Sequence, residues 1–273
     1  MKPRIAIPIP TSFDPDYNHR SWPNYASAIE RSGGEPVAVP LDATPAETAR
    51  LIASCSGVLL PGSGADVNPQ KYGQDLDPKA APPDPKRENV DELLLQDAHN
   101  LRKPIFTICF GTQMLNVWRG GSLIQHLEGG PVEHRQRGVV QAHDAAVPED
   151  SLLGESVVPG EASEQDGLLH LPVNSSHHQA IDAPGDGLRI SARSSEDDVV
   201  EAIENTPDGV GGYVLGVQWH PERTFDESPT SRALFARFVA EAEAWKPKPQ
   251  EVGESGIAAG FSPQRAAQEG TGL

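Results

Sequence analysis

Short apolar runs alternate with amphipathic helical stretches along the first 120 residues, and this alternation restricts the fold more than any other feature of the sequence. The runs predicted as strands are residues 4–9, 37–39, 57–60 and 104–108, and the helices between them are predicted at 22–31, after Thr44 and after Asp84. Parallel strands need a long crossover connection, which is usually a helix. The alternation therefore predicts a parallel sheet with helices on both faces.

The pattern changes after residue 139. Short β-like runs separated by turn residues lie at 139–147, 168–173, 188–193 and 199–203, and an apolar run follows at 212–219. A last helix is predicted from Ser228 to about residue 245. We therefore expect an α/β fold with a mostly parallel central sheet, helices on both faces and extra, partly antiparallel strands.

The sequence divides into a folded part and a tail. Residues 1–245 carry the periodic apolar pattern, so we predict that they form one domain. Residues 246–273 are rich in Gly, Ala, Gln and Ser and have no periodic apolar pattern. Because such a segment buries too little apolar surface to offset its loss of conformational entropy, we expect the tail to be disordered.

The chain carries a strong negative charge. It has 22 Lys and Arg against 39 Asp and Glu, which gives a formal net charge of −17. This charge repels phosphate backbones and anionic lipid surfaces, so we expect neither nucleic acid nor membrane as a partner. Between Gly138 and Leu188 there is no Lys or Arg, and the acidic residues there are Asp144, Glu149, Asp150, Glu155, Glu161, Glu164, Asp166, Asp182 and Asp186.

The sequence contains two cysteines, Cys55 and Cys109, which are too few for a disulfide framework. The N-terminal residues hold no apolar run long enough for a signal peptide, and no segment approaches the length of a membrane span. We therefore expect a cytoplasmic protein whose cysteines are free, metal-bound or catalytic. Cys55 precedes a strand and has no helix after it, which favours a buried bystander.

Cys109 lies at a strand-to-helix junction. An apolar strand leads into it, Gly111 follows, and a helical pattern begins. This layout is typical of a nucleophile elbow with Cys in place of Ser. The helix N-terminus would favour a thiolate and offer free N–H groups to an oxyanion. The alternative is that Cys109 is a small buried apolar residue at the end of a strand.

A histidine and a glutamate follow the last apolar strand. His220 and Glu222 are two residues apart, and Pro221 between them disfavours helix at His220. In an extended chain both side chains would lie on one side, where a carboxylate can orient the imidazole as a general base. The end of a parallel strand is also where active sites of α/β sheets lie. The alternative is a surface His–Glu pair in a loop.

Four segments, in this order and spacing, resemble a class I glutamine amidotransferase domain and span roughly residues 1–243. They are Leu60-Pro61-Gly62-Ser63-Gly64, Ile108-Cys109-Phe110-Gly111-Thr112-Gln113, Val173-Asn174-Ser175-Ser176-His177-His178-Gln179 and Gly216-Val217-Gln218-Trp219-His220-Pro221-Glu222. The third segment, and Asp84-Pro85-Lys86-Arg87 before a helix, resemble the gamma-glutamyl-gamma-aminobutyrate hydrolase branch. Two positions depart from that branch. Phe110 stands where the hydrolase branch carries Arg, and the resulting Cys-Phe-Gly resembles the glutaminase halves of biosynthetic amidotransferases. Glu88 stands where the hydrolase branch carries Asp.

The resemblance implies a catalytic triad of Cys109, His220 and Glu222. It also implies an oxyanion hole made by the backbone N–H groups of Gly62 and Phe110. The residues that the resemblance places against the γ-glutamyl group are Gly64, Gln113, Ser176, His177 and His178. The implied reaction is hydrolysis of a small γ-glutamyl amide through a γ-glutamyl thioester, with release of glutamate and an amine.

Two alternatives to a stand-alone hydrolase stay open. One is a glutaminase subunit that supplies ammonia to a separate synthase partner. The other is a binding module that does no chemistry. The sequence also leaves open whether the chain forms a homodimer. The acidic residues described above either form a solvated surface or attract cationic γ-glutamyl amines, such as polyamine conjugates, and residues 144–166 among them have the composition of a mobile surface loop.

We expect no cofactor and no metal ion. A zinc site made by His177, His178 and His220 would not have the spacing of a known zinc motif, and adjacent histidines in a strand point to opposite sides. Three further histidines have no metal-ligating or catalytic residue at a recognisable spacing, so we expect them at the surface: His126, His134 and His143.

Overall fold

The structure is a computed structural model that describes residues 1–209 and 212–247. The predicted disordered tail, 246–273, lies outside the described residues except for its first two positions. The strands are β1 (Arg4–Pro8), β2 (Glu35–Val39), β3 (Gly57–Leu60), β4 (Ile105–Ile108), β5 (Ser122–Ile124), β6 (His143–Pro148), β7 (Ser163–Gln165), β8 (Leu168–Val173), β9 (Ala180–Ala183), β10 (Leu188–Ser194), β11 (Val200–Asn205) and β12 (Val214–Val217).

Ten of these strands form one sheet, in the order β2-β1-β3-β4-β12-β11-β10-β6-β8-β7. The four pairs formed among the first five strands are parallel, and the remaining pairs, from β12–β11 onward, are antiparallel. Strands β5 and β9 form a separate antiparallel pair. The predicted fold class, a parallel sheet with added antiparallel strands, is confirmed. Its consequence for the site is that β3, β4 and β12 end side by side.

Five α-helices cover the sheet: α1 (Pro15–Arg31), α2 (Pro45–Ala53), α3 (Pro85–Leu101), α4 (Phe110–Trp118) and α5 (Pro229–Ala244). Four of them begin at a side-chain cap followed by proline. The caps are Asp14, Thr44, Asp84 and Ser228, and each accepts a hydrogen bond from a backbone N–H in the first turn. Helix α1 begins seven residues before the predicted start at residue 22, because Asp14 and Pro15 supply this signal.

Alternate side chains of the parallel strands enter two apolar cores, one on each face of the sheet. On one face Ile5 and Phe106 pack against α1 and α5, where Phe235 and Phe238 contact the Phe106 ring. On the other face Leu60 and other strand residues pack against α2, α3 and α4. Both faces of the parallel strands are therefore buried, which is why these strands read as continuous apolar runs.

Residues 144–166 differ from the expected mobile loop. They contain most of β6, a turn of 3-10 helix at Gly154–Ser156 and strand β7, and they form one edge of the large sheet. The apolar positions of β6, Ala145 and Val147, face the core, while its one acidic residue, Asp144, faces solvent. No helix within residues 1–209 and 212–247 has the length and apolar character needed to cross a membrane.

Candidate active site

Three adjacent parallel strands bring the predicted site residues to one edge of the sheet. Gly62 follows β3, Cys109 follows β4, and His220 lies three residues after β12. Because β4 lies between β3 and β12, Cys109 is flanked by the other two. An ideal Cβ placed on Gly62 would lie 2.9 Å from His220 Cε1 and 3.7 Å from Cys109 Cβ. The glycine therefore leaves open the space between the thiol and the imidazole.

Cys109 adopts the strained backbone of a nucleophile elbow. It has φ 53° and ψ −111° and is the N-cap residue of α4. Its backbone N–H donates to the carbonyl of Val217 at 2.8 Å, and its carbonyl accepts from Thr112 and Gln113. A Cβ on Gly111 would collide with the carbonyl oxygen of Leu60, so the turn requires glycine at that position. The predicted elbow is therefore present.

His220 and Glu222 form a buried pair. His220 Nδ1 lies 2.8 Å from Glu222 Oε1. Asn174 holds the backbone of His220 through two hydrogen bonds, since its amide donates to the His220 carbonyl and its oxygen accepts from the His220 N–H. The extended geometry expected for this segment is wrong, because Pro221–Arg223 is a turn of 3-10 helix. The two side chains meet through this turn and not through strand alternation.

The protonation states of the three groups follow from their burial. Burial raises the pKa of the Cys109 thiol to about 12, although Arg223 and the Phe110 N–H oppose this effect. Burial likewise lowers the pKa of His220, with Glu222 acting in the opposite direction. Burial opposes ionisation of Glu222, but the hydrogen bond and charge of His220 hold its pKa below the usual value.

The free site therefore holds a neutral thiol, a neutral imidazole and a carboxylate. Burial of the Cys109 thiol therefore acts against the thiolate that the helix N-terminus would favour. Because Nδ1 of His220 donates to Glu222, the lone pair of His220 is on Nε2. That nitrogen is available to accept the thiol proton.

Both predicted oxyanion donors are engaged by groups of the protein itself. The Gly62 N–H donates to the hydroxyl of Tyr25 at 3.2 Å, and the Phe110 N–H is directed at Cys109. Tyr25 is fully buried on α1, in the stretch 22–31 for which the sequence predicted only a helix. A carbonyl oxygen entering this position would have to displace the tyrosine hydroxyl from Gly62.

A cavity opens beside Cys109, and the predicted substrate-binding residues line it. Its lining consists of Ser63, Gly64, Ala65, Asp66, Ala81, Cys109, Phe110, Gln113, Arg135, Ser176, His177, His178 and Gln179. Gln113 donates to the Gln179 carbonyl and the Gln218 side chain, each at 3.1 Å, so its amide is already bound to protein. Asp66 and Arg135 are lining residues that sequence reasoning missed, because neither lies in a recognised motif.

The motif Asp84-Pro85-Lys86-Arg87 supports the loop that carries Gly62. Arg87 is fully buried and donates to the carbonyls of Pro10 and Pro61 at 2.8 and 2.7 Å, and it pairs with Asp91 at 2.8 Å. Its guanidinium also lies 4.9 Å from the centroid of the Phe110 ring. The motif therefore positions both oxyanion donors and does not line the cavity.

The histidines do not assemble as the rejected zinc motif would require. His178 Nε2 lies 3.0 Å from Asp66, and His220 Nδ1 lies 2.8 Å from Glu222, whereas the donor atom of His177 is grouped with those of His134 and Glu201. The expectation of surface positions for the other three is wrong for two of them. His134 and His143 are buried, and His126 is half-buried with its Nδ1 3.2 Å from Nδ1 of His178. The sequence predicted only a short β-like run at 139–147, where His143 lies, and such a run does not show which of its residues are buried.

Comparisons with known proteins agree with this geometry. A family model described as Peptidase C26 matches residues 12–222. A gamma-glutamyl-gamma-aminobutyrate hydrolase from Escherichia coli O157:H7 is 37% identical over 227 residues, which cover 79% of this chain and 83% of the relative. Protein NtpR from Enterococcus hirae is 34% identical over 223 residues, with 80% and 87% covered.

A solved structure shares the fold. The glutaminase domain of Trypanosoma brucei CTPS, with bound acivicin, aligns with a TM-score of 0.58 at 16% identity, covering 89% of this chain and 95% of that one. At this identity the likeness concerns the fold alone. The sequence match to the family covers most of the chain, including the cysteine and histidine segments. The chain therefore belongs to the Peptidase C26 family and is an enzyme of the class I glutamine amidotransferase-like group.

Proposed function

We propose that the chain is a cysteine-dependent hydrolase that cleaves the γ-glutamyl amide bond of a small γ-glutamyl compound. The observation that carries the proposal is the meeting of Cys109, on its strained elbow, with the buried His220–Glu222 pair around the open space at Gly62. A nucleophile, a base and an orienting acceptor in this arrangement are what acyl transfer requires. The similarity to a gamma-glutamyl-gamma-aminobutyrate hydrolase supports the substrate class.

The first chemical step forms the acyl-enzyme. His220 Nε2 accepts the thiol proton as the Cys109 sulfur attacks the side-chain carbonyl carbon of the γ-glutamyl group. The carbonyl oxygen becomes an oxyanion, which accepts from the N–H groups of Gly62 and Phe110. When the intermediate collapses, the C–N bond breaks and His220 returns the proton to the leaving amine. The product left on the enzyme is a γ-glutamyl thioester.

The second step releases glutamate. A water molecule in the place of the departed amine gives its proton to His220 and attacks the thioester carbonyl. The new oxyanion uses the same two N–H groups, and its collapse breaks the C–S bond. The proton returns from His220 to the sulfur, so the neutral thiol of the free site is restored. Glu222 holds the imidazole orientation through both steps.

The charges that line the cavity bear on the leaving amine. Arg135 and Asp66 are lining residues, and Asp66 is already bound to His178. Arg135 is therefore the charged side chain, among the lining residues, that is placed to meet a carboxylate on the departing amine. None of the nine acidic residues between Gly138 and Leu188 lines this cavity. This distribution supports a carboxylate-bearing amine such as γ-aminobutyrate over a polyamine.

The test is product analysis with the purified chain and no added protein. γ-Glutamyl-γ-aminobutyrate, γ-glutamyl-putrescine and glutamine are offered separately, and glutamate and the released amine are measured by mass spectrometry. We expect glutamate from γ-glutamyl-γ-aminobutyrate at the highest kcat/KM. No glutamate from any of the three substrates would contradict the proposal.

The alternative of an ammonia-supplying glutaminase subunit rests on Phe110. The same assay separates the two functions. A glutaminase subunit would prefer glutamine and would stay nearly silent until its synthase partner is added. Hydrolysis of γ-glutamyl-γ-aminobutyrate by the isolated chain argues for the stand-alone enzyme.

A further inference from the structure

Three imidazoles surround one buried carboxylate behind the loop that lines the active-site cavity. Glu201 lies on β11, His143 begins β6, and His177 lies between β8 and β9. The fourth member, His134, lies in the segment before β6. The side chain of Glu201 is 0% exposed, and no histidine of the cluster exceeds 5%. We call these four residues the His–Glu cluster.

All three rings face the same oxygen atom. Glu201 Oε1 lies 3.5 Å from Nδ1 of His134, 3.3 Å from Nε2 of His143 and 3.5 Å from Nε2 of His177. The donor atoms of His134, His177 and Glu201 lie within 4.8 Å of one another. Among the described residues, neither oxygen of Glu201 has a hydrogen-bond partner, and neither has the inward nitrogen of His143 or His177. A buried polar group without a partner calls for an explanation.

The outer nitrogens of two rings determine what their inner nitrogens carry. His177 Nδ1 lies 3.0 Å from the Gln179 carbonyl, which only accepts, so this nitrogen bears the proton. His134 Nε2 lies 3.0 Å from a carboxylate oxygen of Asp197, so the same reasoning applies to it. In neutral rings the inner nitrogens then carry lone pairs that point at the Glu201 carboxylate. Lone pairs converging on an anion in a buried space repel each other unless a cation lies between them.

One hydroxyl also approaches this group. Ser175 Oγ lies 3.3 Å from His134 Nδ1 and 3.0 Å from the His134 carbonyl. Its single proton can serve only one of these two acceptors. It reaches neither His177 nor the carboxylate of Glu201, whose oxygens lack partners. The serine therefore does not balance the charge of the cluster.

We propose that His134, His177 and Glu201 hold one divalent transition-metal ion of the zinc class. Ligand bonds of about 2.0–2.1 Å in a tetrahedral site place neighbouring donor atoms roughly 3.3–3.4 Å apart. The distance of 3.5 Å from Glu201 Oε1 to the inward nitrogen of each of these two histidines is close to this separation. Imidazole and carboxylate are donors that Zn²⁺ accepts, and outer partners such as Asp197 and the Gln179 carbonyl are the usual supports of metal-bound histidines.

The ion would act on the substrate loop and not on the substrate. His177 links the cluster to the cavity, because it lines the space beside Cys109 while its Nε2 faces Glu201. Three protein ligands leave the fourth tetrahedral position to a water molecule. The ion thus ties β11 and the segment before β6 to the loop that carries Ser176 and His178. This site differs from the zinc motif rejected on spacing, with which it shares only His177.

The test measures metal binding on the full chain, prepared without an affinity tag made of histidines. Because a thiol can bind Zn²⁺, the Cys109→Ser variant serves as the background. After chelator treatment, the protein is titrated with Co²⁺ and then Zn²⁺, and metal content is measured by mass spectrometry. We expect one equivalent of either metal, tetrahedral Co²⁺ absorption bands, and a Tm raised by several degrees.

Two variants and one control decide the location. Glu201→Gln and His134→Ala in the same background should lower metal affinity by about 10²-fold or more, whereas the exposed His19→Ala should bind as the background does. Less than a tenth of an equivalent bound by the folded background protein would overturn the proposal and leave protons as the occupants. Undiminished binding by the folded Glu201→Gln variant would overturn it as well. Neither outcome depends on hydrolase activity.

Discussion

Single residues in this site work through the space they leave and the atoms they orient. Gly62 leaves room for the His220 ring, and Gly111 leaves room for the backbone of Leu60. His220 and Glu222 were predicted from their spacing, but the turn that joins them was not. Tyr25 was not predicted either, because a tyrosine on the buried face of a helix is typical of a core.

We predict that Gly62→Ala abolishes most activity without unfolding the chain. The new Cβ would lie 2.9 Å from His220 Cε1 and 3.1 Å from the Tyr25 hydroxyl, in the space around the oxyanion donor. We expect kcat to fall by about 10²–10³-fold, the effect of losing one oxyanion donor. Steady-state kinetics and circular dichroism check this. Gly129→Ala, where nothing lies within 4 Å, is the matched control and should match the wild type in both measurements.

The pH dependence of kcat/KM follows from the lowered pKa of His220. A base must be neutral, so activity should be lost as the pH falls through a pKa below the usual value of about 6.5. Glu222 raises that pKa, so Glu222→Gln should move the acid limb to lower pH while reducing kcat by about 10²–10⁴-fold. A pH–rate profile of both proteins checks the sign. A limb that moves to higher pH in the variant would contradict the assigned pair.

At the scale of elements, three strand ends and one helix start build the site. The sequence predicted these elements well, because continuous apolar runs and Pro-containing caps mark buried strands and helix starts. The short strands β5, β7 and β9 were missed, since three or four residues carry too little periodicity. The supports from α1 and α3 were missed because they depend on contacts distant in sequence, such as Arg87 with Pro10.

We predict that Arg87→Met lowers the free energy of unfolding by about 3–5 kcal/mol, because it leaves Asp91 buried without its partner. Two carbonyls also lose their donor, including that of Pro61 beside Gly62. Urea denaturation measures the change. Lys86→Ala, exposed on the same helix turn, should alter stability by less than about 0.5 kcal/mol. A loss below 1 kcal/mol for Arg87→Met would show that the guanidinium is dispensable.

At the scale of the whole molecule, the acid-rich residues and the candidate active site lie in different parts of the sheet. The antiparallel part of the sheet carries the acid-rich residues 144–166, whereas the candidate active site lies at the ends of the parallel strands. The parallel part was predictable from hydrophobic alternation. The burial of His134 and His143 was not, because it depends on Glu201 and His177, which are distant in sequence and contact these two rings only in the folded chain.

Because none of these acids lines the cavity, we predict that salt affects differently charged substrates alike. Raising NaCl from 0.05 to about 0.5 M shortens the Debye length to a few ångströms and would remove long-range attraction. The KM values of γ-glutamyl-putrescine and γ-glutamyl-γ-aminobutyrate should change by the same factor, within about twofold. A selective rise for the cationic substrate would show that the acidic surface steers it.

The two cysteines of the chain allow a matched comparison that tests whether Cys109 is the nucleophile. Cys109→Ser and Cys55→Ser are assayed in parallel for release of glutamate from γ-glutamyl-γ-aminobutyrate. Rapid quenching and intact-mass analysis then show whether a γ-glutamyl adduct forms. We predict that Cys55→Ser retains activity and the adduct, whereas Cys109→Ser loses the adduct and at least about 10³-fold in kcat. Full activity of the folded Cys109→Ser protein would show that Cys109 is not the nucleophile.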